Sequence, residues 1–180
     1  MTTTRAPRVR KPRRTPAEMF LDTIKDVVLA AGRSDEDLLS PAAEHFHLRV
    51  ENGGYMPLVI EAFTVHLERP ILGAVAHRVL SVAHYFESNG DLVADPEVEL
   101  LAGRLLPLAI TQGFFGRRVV GQLDEDRGQF LVSPSGQREV KNFAGMWARN
   151  IREQGFAEAA RQAVLLRQHG YVEGGAPTPE

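Results

Sequence analysis

"SVAHYFESNGDLVADPEVELL", residues 81–101, is the stretch whose reading decides the fold. Asn89-Gly90 at its centre suits a two-residue hairpin turn, which needs positive φ at both positions. With the turn placed there, Ser88 faces Asp91, Phe86 faces Val93, and His84 falls opposite Asp95. Leu80, Val82, His84 and Phe86 share one strand face, and its apolar character marks it as the core side. Counting on without interruption would set Val82 against Glu97, a poor match. A one-residue bulge at Asp95-Pro96 repairs the register, so that Val82 meets Val98 and Leu80 meets Leu100. Proline has no N–H to give the ladder and is tolerated at a bulge.

Working outward, further strands flank this hairpin. Its first arm is "AVAHRVLSVAHYFE" (74–87) and its second "LVADPEVELL" (92–101). Upstream, Phe46, Leu48 and Val50 alternate with His47, Arg49 and Glu51, "NGG" (52–54) makes a turn, and "YMPLVIEAFTVHLE" (55–68) returns, with Pro70 and Gly73 expected to break it. Downstream, "PLAITQGFF" (107–115) reads as a fifth strand, and "RRVVGQLDEDRGQFLVS" (117–133) as a hairpin turning at Asp126-Arg127-Gly128. Hairpins in series imply an antiparallel sheet.

Helices close both ends. Thr15-Pro16-Ala17-Glu18 has the capping-box form with proline at the first helical position. Phe20, Ile24, Val27, Val28 and Ala31 follow at helical spacing, and Gly32 offers a stop. "SDEDLLSPAAEHF" (34–46) suggests one or two short helical turns starting at Ser34 and Ser40. After "SPSGQ", Val140, Phe143, Ala144, Trp147 and Ile151 line a helix that Gly155 can end. Phe156, Ala160, Ala163 and Leu166 line another that ends near Gly170. The expected architecture is therefore α+β: an antiparallel β-sheet packed by an N-terminal helix and C-terminal helices. One domain over 15–170 is expected, with a disordered basic arm at 1–14 and a flexible tail at 171–180.

The composition narrows the function classes. Of 180 residues, 43% are hydrophobic and 24% charged, as in an ordinary globular protein. No apolar run approaches the ~20 residues that span a bilayer, and no secretory signal follows the basic start. There is no cysteine, which excludes thiol catalysis and thiolate zinc sites and fits a cytoplasmic setting. The formal charge of −2 hides an asymmetry. Residues 1–14 hold Arg5, Arg8, Arg10, Lys11, Arg13 and Arg14 and no acid, which leaves 15 basic and 23 acidic residues in the body, a balance of −8. A basic arm of this kind suits phosphates, or serves as a solubilising tail. Arg138, Lys141, Arg149 and Arg152 project to one side of the penultimate helix within about 80°. With the arm they would make a surface for nucleic acid; without it they are the solvent face of an amphipathic helix.

Candidate catalytic residues gather on the central hairpin. His84 and Asp95 could act as a base and its orienting carboxylate, and Glu87 or Asp91 could add oxygen ligands for a metal. The competing reading is a structural pair that fixes the register. No nucleophile completes a triad, and neither HExxH nor a glycine-rich phosphate loop is present. His45, His47 and His66 offer a further chelate without identifiable partners. Glu97 and Glu99 read as a solvated strand face, and Trp147 as a core anchor. No cofactor or resident metal is expected.

"GYMPLVIE", "SVAHYFESNGDLVADPEVELL" and "FAGMWARNIREQGF", in that order, resemble a family of small domains of unknown function encoded on bacterial conjugative plasmids, phages and integrated elements. The matching positions are His84, Tyr85, Glu87, Asn89, Gly90, Asp91, Leu92, Asp95, Pro96 and Glu97, then Trp147, Asn150, Gln154, Gly155 and Phe156. The resemblance covers residues 40 to 158, with Ser88 standing where glutamine is usual. It implies a mobile-element accessory protein and brings no activity, cofactor or catalytic residue. The expectation is a non-enzymatic module that binds protein or nucleic acid, with a small hydrolase or metal-dependent enzyme using His84 and Asp95 as the alternative.

Overall fold

A computed structural model describes residues 13–169. Within them six strands form an antiparallel meander: β1 (Phe46–Val50), β2 (Leu58–Ile71), β3 (Ala74–Ser88), β4 (Asp91–Leu101), β5 (Leu106–Gln112) and β6 (Gly116–Val119). A second, two-stranded sheet pairs β7 (Gly121–Asp124) with β8 (Gln129–Val132). The described residues also form the α-helices α1 (Pro16–Ala30), α2 (Glu36–Leu39), α3 (Pro134–Glu153) and α4 (Phe156–Gln168). This is the α+β architecture expected from the sequence.

The central hairpin has the register that its residues dictate. Ser88 pairs with Asp91, Phe86 with Val93, Val82 with Val98 and Leu80 with Leu100. Asn89 (φ 54°) and Gly90 (φ 86°) supply the positive φ values of the turn. The register shifts between Ala83 and Tyr85, so His84 stands against the extra residue at Asp95-Pro96. The Asp95-Pro96 peptide is cis.

The bulge keeps one face of the sheet apolar. Leu58 and Ile60 of β2, Leu80 and Val82 of β3, and Val98 and Leu100 of β4 join Phe20, Ile24 and Val27 of α1 and Val140, Ala144, Trp147 and Ile151 of α3 in one core. Burying each such large side chain contributes about 1.5–3 kcal/mol. Trp147 is buried and stacks on Phe20 at 5.6 Å, the anchor expected of it. Thr15 and Glu18 form the reciprocal capping box. A Cβ on Gly145 would lie 2.6 Å from Pro16 Cβ, so α3 meets the start of α1 with no side chain between.

Several boundaries differ from the expectation. β2 runs on to Ile71, because its pairing with β3 lapses between His66 and Ile71 and the ladder asks no N–H of Pro70. Residues 117–133 split between two sheets. β6 pairs with β5, and the chain then crosses closely over β5 at Gly121, where a Cβ would lie 2.5 Å from Pro107 O. Only β7 and β8 form the hairpin, turning through Asp126, Arg127 and Gly128. α3 begins at Pro134, earlier than expected, because Ser133 Oγ accepts from Gly136 N at 3.3 Å. Ser40-Pro41 makes a turn and no second short helix. α4 buries Phe156 and Ala160 but leaves Leu166 exposed.

One charged side chain lies inside this core face. Arg78, in the row of Leu80, Val82 and His84, is 3% exposed. It donates to the backbone carbonyls of Asp37, Ala43 (3.0 Å) and Glu44 (2.7 Å) and to Thr64 Oγ1 (3.2 Å). Burial pulls its pKa below the usual arginine value. It thereby ties the segment after α2 to the sheet.

Candidate functional site

At the opposite end of that β3 row the polar groups are not closed off. The bulge of the β3–β4 hairpin, the end of β5 and the C-terminal half of α3 enclose an open pocket of about 290 Å³. His84, Asp95 and Pro96 come from the hairpin, Gln112 from β5, Phe143, Met146, Trp147 and Asn150 from α3, and Gln154 from its C-cap.

His84 is buried, at 5% exposure. Its ring meets Trp147 edge-on at 5.4 Å and lies 5.4 Å from Phe156. Nδ1 lies 3.1 Å from Pro57 O. A carbonyl only accepts, so Nδ1 carries the proton and Nε2 is the bare nitrogen. Burial lowers the pKa of the imidazole, against the opposing pull of the Pro57 and Met56 backbone. Nε2 has no hydrogen-bond partner among the described residues.

Asp95 lines the same pocket without a hydrogen bond or ion pair among the described residues. Its carboxylate lies over Gly113, where an added Cβ would come within 2.8 Å of Oδ2. Gln154 Oε1 is buried and unpartnered. Its backbone carbonyl accepts from Asn52 Nδ2 at 2.6 Å, which ties the "NGG" loop to the end of α3. Among the described residues no lysine or arginine lines the pocket.

The rim is apolar and exposed. A 3-10 turn at Gly113–Phe115 leaves Phe114 at 102% and Phe115 at 90% exposure. Met146 on α3, which lines the pocket, is also exposed.

The pocket gathers some of the residues singled out from sequence and leaves others outside. His84 and Asp95 meet in it, although the hydrogen bond that would orient His84 comes from Pro57 O. Glu87 and Asp91 are exposed at the hairpin tip and line no part of it. Glu97 and Glu99 are half-buried and bonded: Ser81 Oγ donates to Glu97 at 2.7 Å, and Arg117 Nε to Glu99 at 2.8 Å. His45 precedes β1, His47 Nδ1 lies 2.9 Å from a Glu61 oxygen, and His66 is exposed. Among the described residues no group of three or more His, Cys, Asp or Glu side chains is placed to hold a metal.

Of the basic residues, Arg5, Arg8, Arg10 and Lys11 lie outside the described residues. Arg13 is exposed, and Arg14 pairs with Asp22. Arg138, Arg149 and Arg152 are exposed and Lys141 half-buried, and Arg152 donates to Met19 O at 3.1 Å. The approach of Gly145 to Pro16 sets the root of the arm beside this side of α3. Sequence reading missed Gln112, Met146 and the Phe114-Phe115 prongs. The one available signal for the prongs was two adjacent phenylalanines after a glycine, which was read as a continuing strand.

Residues 22–157 match the model of a family described as "Domain of unknown function (DUF6908)". The chain belongs to this family. The DUF6908 match takes in the hairpin, β5 and α3, which together build the pocket, and leaves most of α4 outside. Six of the positions that carried the resemblance noted from sequence, His84, Asp95, Pro96, Trp147, Asn150 and Gln154, line that pocket. No curated protein and no solved structure matches the chain. No helix among the described residues is long and apolar enough to cross a membrane.

Proposed function

We propose that this DUF6908 domain is a non-enzymatic protein-binding module, and that its recognition surface is the open pocket with its apolar rim. The observation that carries the reading is the pair Phe114 and Phe115, 102% and 90% exposed, next to the pocket wall at Gln112. Adjacent exposed aromatics beside a concave polar site are the usual makings of an interface centre. Catalysis has less behind it, because among the described residues no serine, threonine or lysine lines the pocket to act as a nucleophile beside His84 and Asp95. The setting in this proposal is the cytoplasm, with the domain as an accessory protein of a plasmid, phage or integrated element.

Affinity capture with the wild-type chain and with Phe114→Ser/Phe115→Ser tests it. The expected result is a partner retained by the first and lost from the second, with equal thermal stability of the two chains. Identical recovery by both would contradict the reading. Self-association that vanishes in the double variant would make a second copy of the chain the partner.

A second reading, nucleic-acid binding, is favoured by the contact of Gly145 with Pro16, which brings the chain just after Arg13 and Arg14 to the side of α3 that carries Lys141, Arg149 and Arg152. DNA affinity should then fall steeply between about 50 and 200 mM salt, and Arg149→Gln/Arg152→Gln should flatten the slope by about 2. A flat salt response would remove this reading.

A further inference from the structure

We propose that the pocket receives an arginine side chain of the protein partner, with its guanidinium among Asp95, His84 and Gln154. The inference rests on the protein-binding reading and deepens it.

Among the described residues the pocket offers acceptors that no neighbouring donor engages. Asp95 supplies a carboxylate that pairs with nothing among the described residues. His84, more than nine-tenths buried, offers a bare Nε2 because its Nδ1–H is spent on Pro57 O. Gln154 Oε1 is buried without a partner. Asn150 and Gln112 add side-chain amides, which can turn a carbonyl toward a donor. Gln154 Oε1, fully buried and unmet, costs about 1–3 kcal/mol, so a donor-rich ligand relieves an existing cost.

The ligand should carry positive charge, since among the described residues the pocket wall holds one carboxylate and no lysine or arginine. An anion such as a phosphate would meet Asp95 with nothing to offset it. Between the two common cations the geometry favours guanidinium. It presents five N–H groups in a planar fork, whereas an ammonium has three on one atom. It is also the more weakly hydrated and packs against aromatic walls, here Phe143 and Trp147. Gly113 serves the same end: any side chain there would push the Asp95 carboxylate from its place.

The chain contains one tryptophan, and it lines the pocket, so Trp147 fluorescence and its indole N–H resonance report on the site directly. The test titrates the full chain with acetyl-arginine amide, acetyl-lysine amide and acetyl-citrulline amide, the last a neutral isostere. Saturable change with the arginine compound is expected, with citrulline at least about tenfold weaker and lysine in between. Asp95→Asn should weaken arginine about tenfold, bring it to the citrulline level, and leave the unfolding midpoint unchanged. Equal binding of arginine and citrulline, or an Asp95→Asn variant that binds arginine like the wild type, would overturn the proposal. If the full chain fails to bind and a chain with Arg5, Arg8, Arg10 and Lys11 all changed to Gln succeeds, the occupant is the chain's own arm and the partner assignment is wrong. None of these results touches the dependence of partner capture on Phe114 and Phe115, so the protein-binding reading stands or falls separately.

Discussion

Arg78 and His84 lie on the same face of β3, about 20 Å apart at ~3.4 Å per residue, and their surroundings are opposite in kind. Between them run Leu80 and Val82, both fully buried. Arg78 spends its two terminal nitrogens on three backbone carbonyls and one hydroxyl, its buried Nε lacks a partner among the described residues, and α2 with the segment after it closes over the side chain. His84 spends one nitrogen on Pro57 O, and its other side belongs to an open pocket shared with Asp95 and Gln154. A buried polar group that is met by its own chain holds the fold together. A buried polar group that is left open is a place for something else to bind.

The contrast makes its largest prediction at Arg78. Replacing it by Met leaves the carbonyls of Asp37, Ala43 and Glu44 without their donor, at about 1–3 kcal/mol for each that water does not reach. A loss of about 3 kcal/mol or more in urea unfolding is expected, with Arg78→Lys losing less. A variant as stable as wild type would break the comparison.

The next effect is at His84. His84→Asn gives up packing against Trp147 and Phe156 and strains the bond to Pro57, so a cost of about 1–2 kcal/mol is expected in the same assay. The pH dependence sharpens the point. The folded-state pKa of His84 is lowered, so the unfolded chain binds the proton more readily. Its contribution to stability is therefore complete above the ordinary value of about 6.5, falls as pH drops through that value, and levels off below the folded pKa. The wild type should lose more stability than His84→Asn between about pH 7 and 5, and parallel curves would contradict this.

Asp95 should show the smallest effect. It makes no bond among the described residues, so Asp95→Asn should change the unfolding free energy by under about 0.5 kcal/mol. A large loss would mean that Asp95 is structural and that the two ends of β3 are alike.

The fold was more legible in the sequence than the site. The Asn89-Gly90 turn and the mismatch of Val82 with Glu97 were enough to place the bulge, because a strand face tolerates only one register. The capping box at Thr15 and the anchor Trp147 followed from local pattern in the same way. Arg78 was not legible, since a charged residue in an alternating strand gives no local sign that backbone carbonyls wait above it. The pocket was half legible: His84 and Asp95 lie on one hairpin, but Asn150 and Gln154 arrive on a helix more than 50 residues later, and only tertiary packing brings them there. Phe114 and Phe115 were read as strand because their apolar character suggested burial, where the chain instead turns and presents them to solvent.

The account depends most on the state of the His84 ring, and long-range proton–nitrogen NMR of the full chain reads that state directly. At neutral pH the account predicts a neutral ring with the proton on Nδ1 and a bare Nε2. A proton on Nε2, or an imidazolium at that pH, would mean that the pocket offers a donor where an acceptor is required, and would contradict it.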